Sequence, residues 1–414
     1  MKKLLFIGLM IAIMIISKGD YWTQKADIPG NPRQSAIGFS NGIKGYVAGG
    51  LDSLYHNVAG LVYDCWEYDT LSNTWTQRQY PDTSLLLNVV TFSIGQNVFL
   101  ALGYDTITNF AKNNLWEFNP INGSWTQKAD FPGQLRLNAA GFSIGSKGYL
   151  GTGQLSDSVN FGVFKDFWEY DTLLNTWTQK ADFGGGPIYM AVGFSIGSKG
   201  YFGNGEDSLS NLLNNFWEYD PITDHWNQIA NFPGVPRFTT IAFSIGNKGY
   251  AGTGCDFTYY YDDFYEYDPN INSWSQKANF GGGLRGNAVG FSIGTKGYLG
   301  SGMFYGCAFG GTSDFWQYTP DSLKEGINEI TNPLKTTLYP NPFSTQTTLT
   351  IEGIQTNSNI SLNIYDASGK EVKNISMGDK KQITINRDGL KAGVYFLNIN
   401  TGNQNIGKKL VVED

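Results

Sequence analysis

The sequence predicts an all-β chain: a six-bladed β-propeller closed by its own N-terminal strand, then a small β-sandwich. Three observations predict it. A tryptophan phrase returns every 48 to 53 residues, at Trp22, Trp75, Trp125, Trp177, Trp226 and Trp274. Two other phrases return in step with it, "GFSIGSKGYLGTG" and "FWEYD" with their variants. After Asp321 all three stop, and short runs of alternating apolar and polar residues take over. Four short strands in a repeat of this length mean propeller blades.

Residues 1–19, "MKKLLFIGLMIAIMIISKG", read as a signal peptide. Two lysines precede an apolar run from Leu4 to Ile16, too short to span a bilayer comfortably, and Ser17 and Gly19 give a small-x-small cleavage site. An uncleaved membrane anchor is the alternative.

Residues 20–320 carry the repeats. In each unit "AAGFSIG" and "KGYLGTG" are apolar runs joined by a Gly-Ser-Lys-Gly turn, a hairpin signature. "FWEYD" and "TWTQKA" alternate large and polar residues across a turn such as Pro221-Ile222-Thr223-Asp224. Glycines in the first two strands suit close approach of backbones, and the aromatics of the outer strands suit packing between sheets.

This pattern resembles the kelch repeat family. The "PR" before the first strand, the glycines closing the second, the "YD" turn and the following Trp all match. One feature departs. Kelch repeats close the second strand with paired glycines, and only Gly49-Gly50 does so here; the others read Gly-x-Gly, as in Gly151-Thr152-Gly153, or less.

The sixth "FWEYD" phrase, around Trp316, has no tryptophan strand after it, whereas the strand at Trp22 has no repeat before it. The N-terminal strand is therefore expected to complete the last blade, as kelch propellers do, leaving no unpaired edge.

Residues 321–333 read as a linker and 334–414 as an antiparallel, immunoglobulin-like β-sandwich. This segment closely resembles the type A C-terminal sorting domain of the bacterial type IX secretion system. The motifs are Tyr339-Pro340-Asn341-Pro342, then "GLKAGVYFLNI" with Gly393 and Tyr395, then Lys408-Lys409 in the last strand. The resemblance implies export across both membranes of a Gram-negative cell, with the secretion machinery as partner. Release or attachment to the outer surface would follow. An ordinary binding module is the alternative.

A net charge of −7 and the absence of basic runs exclude a nucleic-acid partner. Of the two histidines, His225 lies in an outer strand and His56 in a loop of another blade. They should not converge, so the copper site of a galactose oxidase-like enzyme is excluded. No sialidase Asp-box, zinc HExxH or phosphate loop appears, and no cofactor is expected. Cys65 takes the place of Phe167, Phe216, Phe264 and Phe315 in other blades and reads as a buried, inert thiol. Cys255 and Cys307 follow the second strands of adjacent blades, and either a disulfide or two free thiols fits.

Arg33, Arg136, Arg237 and Arg285 each lie six residues before the Phe of a "GFS" strand; Leu86 and Ile188 take the place in the other two blades. Repeat symmetry puts the four at equivalent points around the channel mouth. With Tyr259, Tyr260, Tyr261 and Tyr305 they would form a polar, aromatic rim for an acidic ligand. Alternatively each braces its own loop through backbone carbonyls. The expected function is non-catalytic binding of a glycan or protein ligand by an exported monomer. The alternative is a kelch-type enzyme such as a sialic-acid mutarotase, whose chemistry needs little beyond arginines and a base in the funnel.

Overall fold

The structure is a computed structural model. It describes residues 19–52, 60–79, 87–105, 110–155, 162–304, 311–321, 335–352, 360–366, 371–378, 380–400 and 405–413. The leader, His56, Leu86, Tyr305, Cys307 and the linker beyond Asp321 lie outside them. Every regular element among the described residues is a strand. The chain divides into two compact units, the second running from Leu323 to Asp414.

Among the described residues the first unit contains six four-stranded antiparallel sheets. The third shows the plan: Ala140–Ile144, Lys147–Gly151, Phe167–Asp171 and Thr176–Lys180, paired in that order. The inner strands lie side by side in cyclic order, with Val289–Ile293 of the sixth sheet against Ile37–Ser40 of the first. The fourth strand of the sixth sheet is Tyr21–Gln24, which pairs with Phe315–Thr319 in the register Trp22↔Tyr318. That register repeats Trp75↔Tyr68 and Trp177↔Tyr170 of other sheets.

Aromatic rings join the sheets, because strand pairing stops at each sheet's edge. Phe291 lies against Gly45 of the first sheet, where an added Cβ would come within 2.4 Å of the ring. The same fit places Phe142 on Gly200 and Phe243 on Gly297, so glycine here admits a neighbour's ring. Farther out, Trp75 meets Phe315 edge-on with centroids 4.9 Å apart. Such pairs add about 0.5–1.5 kcal/mol beyond area burial.

The second unit is a two-sheet sandwich. One sheet orders Lys335–Tyr339, Gln346–Glu352 and Gln382–Asn386; the other orders Glu371–Gly378, Ile360–Tyr365, Gly393–Asn400 and Asn405–Val412. Leu349, Ile351, Leu362, Ile364, Leu397 and Leu410 fill its core. The Asn341 side chain clamps the last strand, donating to the Lys409 carbonyl and accepting from the Val411 amide, both at 2.8 Å. Tyr339 stays exposed, as do Lys408 and Lys409. Tyr395 is buried and donates its hydroxyl to the Lys391 carbonyl.

Candidate functional site: the channel mouth

The inner strands leave two cavities along their common axis. One, of about 190 Å³, lies at their N-terminal ends; the other, of about 350 Å³, lies toward their C-terminal ends. The second is lined by one serine per inner strand: Ser40, Ser93, Ser143, Ser195, Ser244 and Ser292. Ser93 and Ser143 donate their hydroxyls to the carbonyls of Ser40 and Ser93 on the neighbouring sheets.

At the first cavity stands a ring of six residues, Ser35, Asn88, Asn138, Met190, Thr239 and Asn287. All six have left-handed backbone, with φ between 50° and 56°. Non-glycine residues adopt this region rarely and at a cost of about 1 kcal/mol or more, least for Asn. Hydrogen bonds fix the ring: the Ser35 amide donates to the Asn287 carbonyl and the Met190 amide to the Asn138 carbonyl, each at 2.9 Å. Among the described residues, those lining the two cavities include no acid, base, thiol or phenol.

The four arginines lie behind this ring. Their side chains are 0 to 2% exposed. Each pairs two-pronged with an aspartate: Arg33 with Asp64, Arg136 with Asp166, Arg237 with Asp263 and Arg285 with Asp314. In the second pair the bonds are 2.6 and 2.8 Å. Each also donates to a carbonyl at the end of the second strand, of Gly49, Thr152, Thr253 or Ser301. Burial would raise the Asp166 and Asp314 pKa values, but hydrogen bonds and charge from Arg136 and Arg285 outweigh it and hold both below the ordinary value. The geometry follows the reading in which each arginine braces its own loop through backbone carbonyls, and not the one in which the guanidiniums meet an acidic ligand. They are spent on internal carboxylates, which a buried cation requires.

The clasp includes a third group. Trp66, Trp168 and Trp316 donate their indole N–H groups to the same aspartates, at 2.7 to 2.8 Å. The sheets without arginine carry Asn114 and Asn215 in the aspartate's place, and there the indole nitrogens of Trp116 and Trp217 are buried without a partner. Arginine and aspartate are thus present or absent together. The residue before each "FWEYD"-type phrase records this, Asp64, Asp166, Asp263 and Asp314 against Asn114 and Asn215, and it was the missed signal.

The Gly-x-Gly departure also has a physical account. Both residues at the end of the second strand have positive φ, but they differ in kind. The first is left-handed, φ 52° to 64°, and is held by Leu102, Thr152, Asn204, Thr253 or Ser301. The second has φ 91° to 124° and is glycine in every sheet. At Gly302 a Cβ would come within 2.6 Å of the Gly286 carbonyl, and its amide donates to the Arg33 carbonyl on the first sheet. Only this second glycine is obligatory.

Of the rim tyrosines, Tyr259 is exposed and Tyr260 half-buried against Gly286 beside Thr239; Tyr305 lies outside the described residues. Cys255 is a buried free thiol, 3.4 Å from the Thr239 hydroxyl, and its candidate partner Cys307 lies outside the described residues. Burial, followed by neighbouring acidic charge, pushes the Cys65 thiol up to about 12, so it stays protonated. His225 is exposed on its outer strand. Among the described residues no cluster of His, Cys, Asp and Glu could hold a metal ion.

Comparison with known proteins bears on both units. Residues 337–413 match the family described as secretion system C-terminal sorting domain. The solved structure of YjhT superposes with a TM-score of 0.61 at 15% identity, covering 72% of this chain and 98% of that one. No curated protein matches the chain. The first unit is thus a kelch-type β-propeller in fold, and the second carries the type IX sorting domain, which implies an exported protein.

Proposed function

We propose that this is an exported, non-catalytic binding protein that takes its ligand at the mouth of a six-bladed ring closed by the N-terminal strand. The carrying observation is the ring of Ser35, Asn88, Asn138, Met190, Thr239 and Asn287. It presents hydroxyls and amides on rigid, strained backbone around one opening, and strain of this kind collects at ligand clamps. Among the described residues, neither cavity is lined by a group able to move a proton, which general acid–base chemistry needs. The sorting domain supports delivery beyond the outer membrane, either released or held at the surface.

The supports for closure are the pairing of Tyr21–Gln24 with Phe315–Thr319 and the cyclic order of the inner strands. The test is a glycan array probed with the mature chain, followed by titration of Asn138→Ala and Asn287→Ala. The proposal expects a ligand whose affinity per folded molecule both variants reduce at least tenfold, with only the small fall in melting temperature that alanine brings at a left-handed position. Unchanged affinity in both contradicts it.

A further inference from the structure

We infer that the blade-five loop beside this mouth is a stacking platform for a neutral carbohydrate; the inference rests on the mouth being the ligand site.

The loop Cys255–Tyr261 exposes two large aromatic side chains, Phe257 at 67% and Tyr259 at 64%. Exposed aromatics are unremarkable on a loose loop, but this one is tightly built. Cys255 exchanges both backbone hydrogen bonds with Phe238, at 3.0 and 3.1 Å. The Asp256 carboxylate caps the turn, accepting from the amides of Thr258 and Tyr259 at 2.6 Å and from the Tyr261 hydroxyl at 2.7 Å. Tyr261 is held in turn by the Arg237 guanidinium, 3.9 Å above its ring. Phe257 packs on Phe238 at 5.7 Å. The aromatics are therefore presented in fixed positions, so binding would cost little ordering entropy.

The loop reaches the mouth directly. Cys255 Sγ lies 3.4 Å from Thr239 Oγ1, a member of the ring. A flat aromatic face beside hydroxyl and amide groups matches a pyranose, which has an apolar C–H face and a hydroxyl edge. Neutrality follows from the charges. The four arginines nearest the mouth are each bound to an aspartate, and among the described residues no cation lines the cavity to hold a carboxylate. An anionic sugar would give up its hydration there for no partner.

The test is calorimetric titration of the mature chain with neutral hexaoses (cello-, xylo-, manno- and laminari-) and with tetragalacturonate. Phe257→Ala and Tyr259→Ala should weaken binding of a neutral hexaose at least tenfold with melting temperature unchanged. Galacturonate should not bind. If Phe257→Ala and Tyr259→Ala weaken binding while Asn138→Ala and Asn287→Ala do not, the platform stands and the mouth reading falls. If only the asparagine variants weaken it, the mouth stands and the platform falls. Tighter binding of galacturonate, or no binding of any of these sugars, overturns the inference.

Discussion

The indole of Trp22 donates to the carbonyl of Ala278, 256 residues along the chain, at 3.0 Å. Trp75 does the same to Ala26 and Trp177 to Ala129. Asp20 matches Asn73 and Asn175 just as closely: it accepts from the Ala278 amide and the Tyr318 hydroxyl, as they do from Ala26 and Tyr68 and from Ala129 and Tyr170. The N-terminal segment thus repeats the indole, amide and hydroxyl hydrogen bonds made by Trp75 with Asn73 and by Trp177 with Asn175.

Trp22→Ala should be costly for this reason. It removes edge contacts to Phe264 and Phe280, at 5.1 and 5.0 Å. The half-buried ring puts the loss near about 3 kcal/mol, the low end for a large aromatic. Urea denaturation measures it. A loss below about 0.5 kcal/mol, the scale of a surface change, would mean the strand is only laid on.

The arginine–aspartate clasp should behave as a unit. Asp166→Asn leaves a buried guanidinium short of charge and should cost about 2–4 kcal/mol, slightly discounted because Asp166 is partly accessible. Arg136→Ile with Asp166→Asn recreates the pairing of Ile188 with Asn215 in blade four. The double variant should be more stable than the sum of the two single losses implies, by at least about 1 kcal/mol. Strict additivity in the cycle would show that the two residues act separately.

The same clasps set an acid limit. Asp166 and Asp314 titrate below 3.8 when folded. A carboxyl with a depressed folded pKa contributes stability above its unfolded value and loses it as pH falls through the folded one. Unfolding free energy should therefore drop as pH falls below about 4. Asp166→Asn should make that drop shallower. Equal slopes for the variant and the parent would assign acid sensitivity to other groups.

Hypothesis: removing residues from Leu334 onward should leave the propeller folded but inside the outer membrane, since the chain forms two compact units with the sorting match confined to the second. Cell fractionation with circular dichroism of the purified fragment checks both halves. Finding the folded fragment in the medium would disprove the role of the tail.

The strands were legible because each repeat states them again, and the Trp spacing carries its phase past sequence noise. The strand at Trp22 was placed by counting phrases. The sorting motifs were legible because Asn341 and the Tyr395 hydroxyl make position-specific bonds, the first to the last strand and the second to the Lys391 carbonyl four residues back. The role of the arginines was not legible from spacing alone. Their register put them near the mouth, but burial depends on the aspartates about 30 residues later, a pairing that the arginines' own spacing does not reveal. The six-residue mouth ring was hidden for another reason. Its positions demand a backbone angle rather than a side chain, so Ser, Asn, Met and Thr all occupy it without a shared motif.

The most direct measurement is calorimetric titration of the mature chain, the Asn138→Ala/Asn287→Ala variant and Arg136→Lys with the best array ligand, with NMR of the same mixtures to detect turnover. The account predicts that the asparagine variant loses at least tenfold in affinity per folded molecule, with only the modest fall in melting temperature that alanine brings at left-handed positions. Arg136→Lys should lose stability while keeping the affinity of its folded fraction, and the sugar spectrum should stay constant over hours. Affinity that follows the arginine rather than the asparagines, or a substrate converted by the parent chain and not by the variant, would contradict it.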